Sequence, residues 1–168
     1  MTNEEFERAA RTYGDMIYRV ARHALKNPSD AEDATQNVLL RLLRAGDFDG
    51  EEHLKHWLLR VAVNESRRLL RSPWRQRVVP LEEWRETPSL PDETREVWDA
   101  VMALERKYRL AVYLYYYEEC SVKEVAAALN AKESTVQTWL QRARDKLRDA
   151  LTAQEKEGPP CVRQKTIP

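Results

Sequence analysis

The stretch Ser121–Leu147, "SVKEVAAALNAKESTVQTWLQRARDKL", decides the reading. Val122, Val125, Ala126 and Leu129 recur at three- and four-residue spacings, which is one face of a short helix. "NAKE" (130–133) supplies a polar turn, and its Asn130 tolerates left-handed backbone. Ser134 with Gln137 fits a capping box that opens a second helix. There Val136, Leu140, Ala143 and Leu147 share a face, with Trp139 at its edge. The opposite face presents Thr138, Gln141, Arg142 and Asp145, flanked by Gln137 and Arg144. This is a helix-turn-helix layout, whose second helix is shaped for a major groove. Arg pairs with guanine edges and Gln with adenine edges. Lys132, Ser134 and Thr135, with the amides of the helix start, suit phosphate. An ordinary helical hairpin with a solvated polar face meets the same spacing, so the rest of the chain has to arbitrate.

The chain has 168 residues, 42% hydrophobic and 33% charged, with only 4 Gly. That composition describes a globular, mainly helical protein of one ordinary domain or two small ones. The longest apolar run, Leu110–Tyr117, is far shorter than the roughly 20 residues a membrane span needs, so no membrane contact is expected. The acidic start "MTNEEFERAA" lacks the basic region of a secretory leader. Cys120 and Cys161 form no CxxC and read as free thiols of a reducing cytoplasm, with Cys120 a buried structural thiol beside the Tyr run.

The net charge is +0, but its distribution is uneven. Residues 56–77 carry six Arg against one Glu, net +5. Residues 78–99 carry seven acids against two Arg, net −5, and residues 134–148 carry four bases against one Asp, net +3. Two basic blocks joined by an acidic bridge are more informative than the sum.

Upstream, Phe6, Ala9, Ala10, Tyr13, Ile17, Val20 and Ala21 predict a helix over 2–26. "NPSD" stops it, and Ser29 with Glu32 fits a capping box for a helix to about Ala45. That helix would bury Ala34, Val38, Leu39, Leu42 and Leu43 and show Asp30, Asp33, Gln36, Asn37 and Arg41. After the polar loop "AGDFDGEEH", a third helix over about 54–71 turns Leu54, Trp57, Leu58, Val61, Ala62 and Leu69 inward. Pro73, Pro80, Pro88 and Pro91 mark 73–92 as an extended linker. A second domain follows over 93–151, its Leu110–Tyr117 run read as a buried helix. The tail from Thr152 to 168 has no apolar face and reads as disordered.

Arg60, Asn64, Arg67, Arg68 and Arg71 share a face of the third helix. Guanidinium groups with an amide and nearby aromatics suit a nucleic-acid strand with unstacked bases, whereas Trp57 is accounted for as core. His53 and His56 form an HxxH pair with no further clustered ligand, short of the four a closed zinc site takes. No metal, cofactor or catalytic set is expected.

"SDAEDATQNVLLRLLR", "HWLLRVAVNESRRLLR" and "ALERKYRLAVYLYYYEECSVKEVAAALNAKESTVQTWLQRARDKLRDAL" together resemble the bacterial sigma-70 family, in its extracytoplasmic-function (ECF) group. The resemblance runs over about 4–151. It implies an all-α fold. A three-helix domain over 1–72 would dock on polymerase and capture the minus-ten element. A four-helix domain with a helix-turn-helix would bind the minus-thirty-five element. It also implies roles for residues. Asp30, Glu32, Asp33, Gln36, Asn37, Leu40 and Arg41 would dock on the β′ clamp of core RNA polymerase, with the second domain on the β flap. His53, Arg60, Asn64, Arg67, Arg68 and Arg71 would serve the melted minus-ten element. Lys132, Ser134, Thr135, Gln137, Thr138, Gln141 and Arg142 would serve promoter DNA upstream. The acidic linker would thread toward the polymerase active site, and an anti-sigma factor is an expected partner. The chain itself would be no enzyme. Departures from the family pattern are Glu105 where Pro is frequent, Asn130 for Gly, Arg68 for Asp, and Trp139 for a basic residue. The competing reading is a stand-alone helix-turn-helix regulator, which leaves the first domain without a role.

Overall fold

A computed structural model describes residues 1–73 and 91–156, apart from the side chains of 92–93 and 154–156. Most of the expected linker and residues 157–168, Cys161 included, lie outside the described residues. Among the described residues every regular element is helical, and no helix is long and apolar enough to cross a membrane.

The first three helices are α1 (Asn3–Leu25), α2 (Pro28–Leu43) and α3 (Glu51–Leu70). The second body holds α4 (Asp92–Ala103), α5 (Arg106–Val112), a π-helical turn (Tyr113–Tyr117), α6 (Val122–Leu129) and α7 (Glu133–Lys156). Thr2 caps α1 through a capping box with Glu5, which satisfies two of its orphan amides. Ile17, Val20 and Ala21 of α1, Ala34, Val38 and Leu42 of α2, and Leu58 and Val63 of α3 are completely buried in one shared cluster. Each such large aliphatic side chain contributes roughly 1.5–3 kcal/mol by leaving water.

Several expectations need correction. The cap of α2 is Asn27, whose side chain accepts from the Asp30 amide, with Pro28 at the first helical position; Ser29 lies inside the helix. Proline's fixed φ and missing N–H suit that first position, which moves the start forward. Ser134 likewise lies inside α7, which begins at Glu133, so it caps nothing. The capping box of the hairpin is instead Ser121 with Glu124, at the start of α6. Leu43 is 50% exposed rather than inward. Finally, α7 continues to Lys156, so the tail is helical over its first five residues, Thr152 to Lys156.

The two bodies are packed together. One continuous cluster of buried side chains runs from Ala9 and Ile17 through Leu59 and Tyr108 to Val125 and Leu140. α3 lies against α6, and α1 against α5 and the π-helical turn. A two-domain chain with a long linker leads one to expect separated bodies. Here the carbonyl ends of α1 supply a docking point. The Nε of Arg109 donates to the carbonyl of His23, and the Nε of Arg106 donates to that of Ala24 at 3.0 Å. Cations are favoured at a helix C-terminus because the aligned peptide dipoles leave it negative.

Candidate nucleic-acid and polymerase interfaces

The helix-turn-helix forms as its spacing predicts. α6 ends on Asn130, whose φ of 53° and ψ of 53° place it in the left-handed region. α7 then buries Val136, Leu140 and Ala143. Gln137, Thr138, Gln141 and Arg142 stand exposed on one side of α7, with Lys132 and Ser134 exposed at its start and Thr135 half-buried. Gln141 donates to Asp145 at 3.2 Å and accepts from Arg144 at 3.1 Å, so part of this face is already tied by hydrogen bonds. Arg144 also donates to the Tyr116 hydroxyl at 3.0 Å.

The basic face of α3 is more divided than its spacing implied. Arg60, Asn64, Arg68 and Arg71 are exposed, and His53 is exposed near the loop that precedes α3. Arg67 turns into the seam, where its Nη2 donates to the Leu129 carbonyl at 2.8 Å. Arg68 donates through Nε to Glu65 at 3.0 Å. Trp57 is partly buried against the core, with Phe48 edge-on at 5.2 Å between ring centres. His53 and His56 do not converge. His53 Nδ1 accepts from the Asp49 amide, whereas His56 Nε2 meets Glu124 at 2.9 Å.

Glu65 is the residue the sequence reading missed. Its side chain is wholly buried, yet it gathers three groups. Asn37 donates to Oε1 at 3.0 Å, Arg68 binds the same oxygen, and Arg41 Nη2 stands 3.0 Å from Oε2. The Arg41 contact is an ion pair outside hydrogen-bonding geometry, so Oε2 has no hydrogen bond. Burial pushes the carboxyl upward in pKa; the hydrogen bond and charge of Arg68, the charge of Arg41 and the Asn37 amide outweigh it and hold it below its ordinary value. Glu65 therefore ties α2 to α3 and sets the poses of Asn37, Arg41 and Arg68. A lone acid among six arginines, one turn before Arg68, was the available signal.

On α2, Glu32, Asp33, Gln36, Leu40 and Arg41 are exposed and Asp30 and Asn37 half-buried. Leu40 and Leu43 with Phe6, Gln36 and Leu39 line a shallow cleft of about 260 Å³. A cleft of that kind beside exposed acids can receive an apolar anchor with basic neighbours. Cys120 is buried, and burial pushes its thiol up to about 11, which keeps it protonated and unreactive near neutrality.

A three-helix body with an acidic-apolar face, joined to a body that carries a helix-turn-helix with an open polar face, defines a two-part helical protein of the helix-turn-helix class. Residues 9–76 match the model of sigma-70 region 2, and residues 94–147 match that of sigma-70 region 4. The RNA polymerase sigma-E factor of Streptomyces coelicolor is 33% identical over 90% of this chain and 88% of its own length. The ECF sigma factor SigX of Bacillus subtilis is 29% identical over 86% of this chain and 82% of its own. Among solved structures, the sigma factor RpoE of Bartonella quintana, in complex with the anti-sigma factor NepR, aligns with a TM-score of 0.69. It is 20% identical and covers 89% of this chain and 98% of its own. CnrH, in complex with the cytosolic domain of CnrY, aligns at 0.65 with 23% identity and 90% coverage of both chains. The chain belongs to the sigma-70 family, in its extracytoplasmic-function group. It is an RNA polymerase sigma factor that serves transcription initiation.

Proposed function

We propose that the chain docks on core RNA polymerase through α2 and reads promoter DNA with α3 and α7, while the polymerase carries out the chemistry. One observation carries this reading: two unlike faces stand open on one chain. Gln137, Thr138, Gln141 and Arg142 line α7, while Glu32, Asp33, Gln36 and Leu40 line α2. The first set suits base edges in a major groove. The second suits a protein partner, through an apolar centre rimmed with charge. Arg60, Asn64, Arg68 and Arg71 on α3 serve the opened strand, by backbone neutralisation and contact with unstacked bases.

The closed seam bears on how this happens. Arg67 is committed to Leu129, so full use of the α3 face requires the two bodies to part. Binding to polymerase drives that parting by binding the open form better than the closed one. The protein works where polymerase is, in the cytoplasm. A sigma-binding protein of the anti-sigma kind, as NepR is for the RpoE of Bartonella quintana, restrains it by covering the α2 face.

Run-off transcription with purified core polymerase on selected promoters tests the reading. Promoter-dependent transcripts that need the added chain are expected. Folded protein that neither stimulates transcription nor comigrates with core polymerase would overturn it.

A further inference from the structure

Three ligand-type side chains meet at the mouth of the seam. Glu52 and His56 lie one turn apart on the same side of α3. Glu124 reaches them from α6 of the other body. His56 Nε2 and Glu124 Oε1 are 2.9 Å apart, and one ligand atom from each of the three residues lies within 4.8 Å of the others. We propose that Glu52, His56 and Glu124 form a divalent-cation site of the zinc class that ties the two bodies together.

The chemistry of the set favours zinc over magnesium or calcium, which prefer all-oxygen cages, because imidazole is a borderline-soft nitrogen donor. Zinc holds nitrogen and oxygen at about 2.0–2.2 Å, so ligand atoms around a tetrahedral ion lie about 3.3–3.6 Å apart. The atoms already present need to spread from one contact and close in another, by rotamer adjustment of the exposed Glu52 and the half-exposed His56 and Glu124. Two carboxylates and a neutral imidazole balance the ion's charge, and a water completes four-coordination. Glu124 is held for the task, because its Oε2 accepts from the Ser121 amide at 2.6 Å. Outer-shell hydrogen bonds of this kind fix a ligating carboxylate in place. The neighbouring cation is engaged elsewhere: Lys55 pairs with Glu118 at 3.8 Å. In the apo form the His56–Glu124 contact stands in for the ion; with metal bound, His56 Nε2 turns its lone pair to the cation.

This site could not be assembled from sequence. Glu52 and His56 are neighbours in the chain, but Glu124 comes from the far body, and the HxxH spacing pointed instead to His53. The consequence, that zinc holds the chain closed and out of transcription, rests on the preceding proposal that the bodies part. The site itself does not.

The test uses the full chain and Zn²⁺ alone, with calorimetry for binding and small-angle X-ray scattering for the separation of the bodies. One zinc per chain is expected, with Mg²⁺ failing to compete. His56→Gln and Glu124→Gln should each weaken binding by at least about tenfold, since losing even an outer-shell partner typically costs about 10–100-fold and these changes remove direct ligands. Zinc should make the wild-type scattering more compact and leave that of Glu124→Gln unchanged. Thermal melts establish that the variants remain folded, and Glu52→Gln, an exposed change at the rim, provides a third arm. The proposal is overturned by the absence of saturable binding, by binding that survives both His56→Gln and Glu124→Gln, or by binding that disappears only when Cys120 and Cys161 are replaced by serine. No arm contains polymerase, so failure here is separable from failure of the transcriptional reading.

Discussion

The Arg67 guanidinium donates to the Leu129 carbonyl oxygen at 2.8 Å, so a side chain from the basic face of the first body caps the first helix of the helix-turn-helix. Terminal carbonyls of a helix have no intrahelical donor, and a cation there also meets the negative end of the dipole. Arg67→Ala removes this bridge. A charge-assisted hydrogen bond contributes about 1.5–3 kcal/mol; Arg67 is only half-buried, so water recovers part of that, and a loss of about 1 kcal/mol is expected. Scattering should show a more extended average shape, while circular dichroism keeps the helical content unchanged.

A second prediction concerns pH. His23 lies in the seam, with Nδ1–H donating to the Arg19 carbonyl at 2.7 Å and its ring stacked on Tyr113 at 4.2 Å. Burial, with help from the charges of Arg109, Arg22 and Arg19 and against the pull of the Arg19 carbonyl, pushes its pKa down to about 4. The unfolded histidine titrates near 6.5. Between those values the unfolded chain binds more protons than the folded one, so stability rises with pH across the window and is lost as pH falls through it. At about 1.4 kcal/mol per unit the swing is at most about 3 kcal/mol. Denaturant unfolding at pH 7 and pH 4.5 measures it. His23→Phe keeps the stacking and should flatten the profile; an unchanged slope in that variant would remove His23 as its source.

What the sequence made legible was local. The period of Val136, Leu140 and Ala143 placed α7, and the turn at Asn130 fell where a left-handed residue was needed. The exposed set on α7 followed directly, because one helix with one buried stripe leaves the other face open. α3 was read less well, since it is buried twice, against α1 and α2 on one side and α6 on another. Leu59 and Val63, outside the expected stripe, are therefore buried. The roles of Arg67 and Glu65 depend on partners 62 and 28 residues away in the chain, and no periodicity encodes such pairings. The capping errors have a simpler cause. Ser-x-x-Glu and Ser-x-x-Gln occurred close to competing signals, Asn27-Pro28 and Glu133, that start the helices earlier.

The Glu65 cluster yields a third prediction. Glu65→Gln keeps the shape and the Asn37 contact but leaves Arg41 and Arg68 without a counter-charge. Both arginines are more than half exposed, so water shares their stabilisation and the cost should be about 1–3 kcal/mol, the range for disturbing a buried charged hydrogen bond. Because the folded carboxyl is held below its ordinary pKa, its contribution is present above about pH 4.3 and fades as pH falls further. The stability gap between wild type and variant should therefore be constant near neutrality and narrow in acid. A gap that widens in acid would show that Glu65 is not the charged partner.

Glu105 stands where the family often has proline, and the backbone is ready for one. Its φ is −58°, and Leu104 before it is extended, with ψ of 152°. A proline there restricts the unfolded chain and stabilises by about 0.4–1 kcal/mol where φ already fits. The change also deletes exposed pairs of Glu105 with Lys107 and Lys146 at 3.6 and 3.5 Å, each contributing about 0–1 kcal/mol. Glu105→Pro should therefore be neutral to slightly stabilising in a thermal melt. A marked loss would mean that the Glu105 pairs anchor α7 more firmly than exposed ion pairs usually do.

The last prediction separates recognition from stability. Arg142 is exposed on the open face of α7, one turn beyond Thr138 and beside Gln141. Removing it leaves no cavity, since Leu140 and Ala143 on either side are the buried residues. Arg142→Ala should thus leave the melting temperature within the small range typical of exposed positions. If Arg142 reads a guanine, promoter-bound polymerase should lose about 1–3 kcal/mol of affinity on the matched upstream element and little on a version with that base changed. Loss of equal size on both promoters would instead assign Arg142 to a phosphate, and the salt dependence of binding should then fall by about one counterion. Competition binding of holoenzyme to the two promoters at two salt concentrations distinguishes these outcomes. The same pair of promoters tested with Arg67→Ala gives the contrast, because that side chain contributes to the seam and its removal should change the shape of the free protein rather than the choice of upstream sequence.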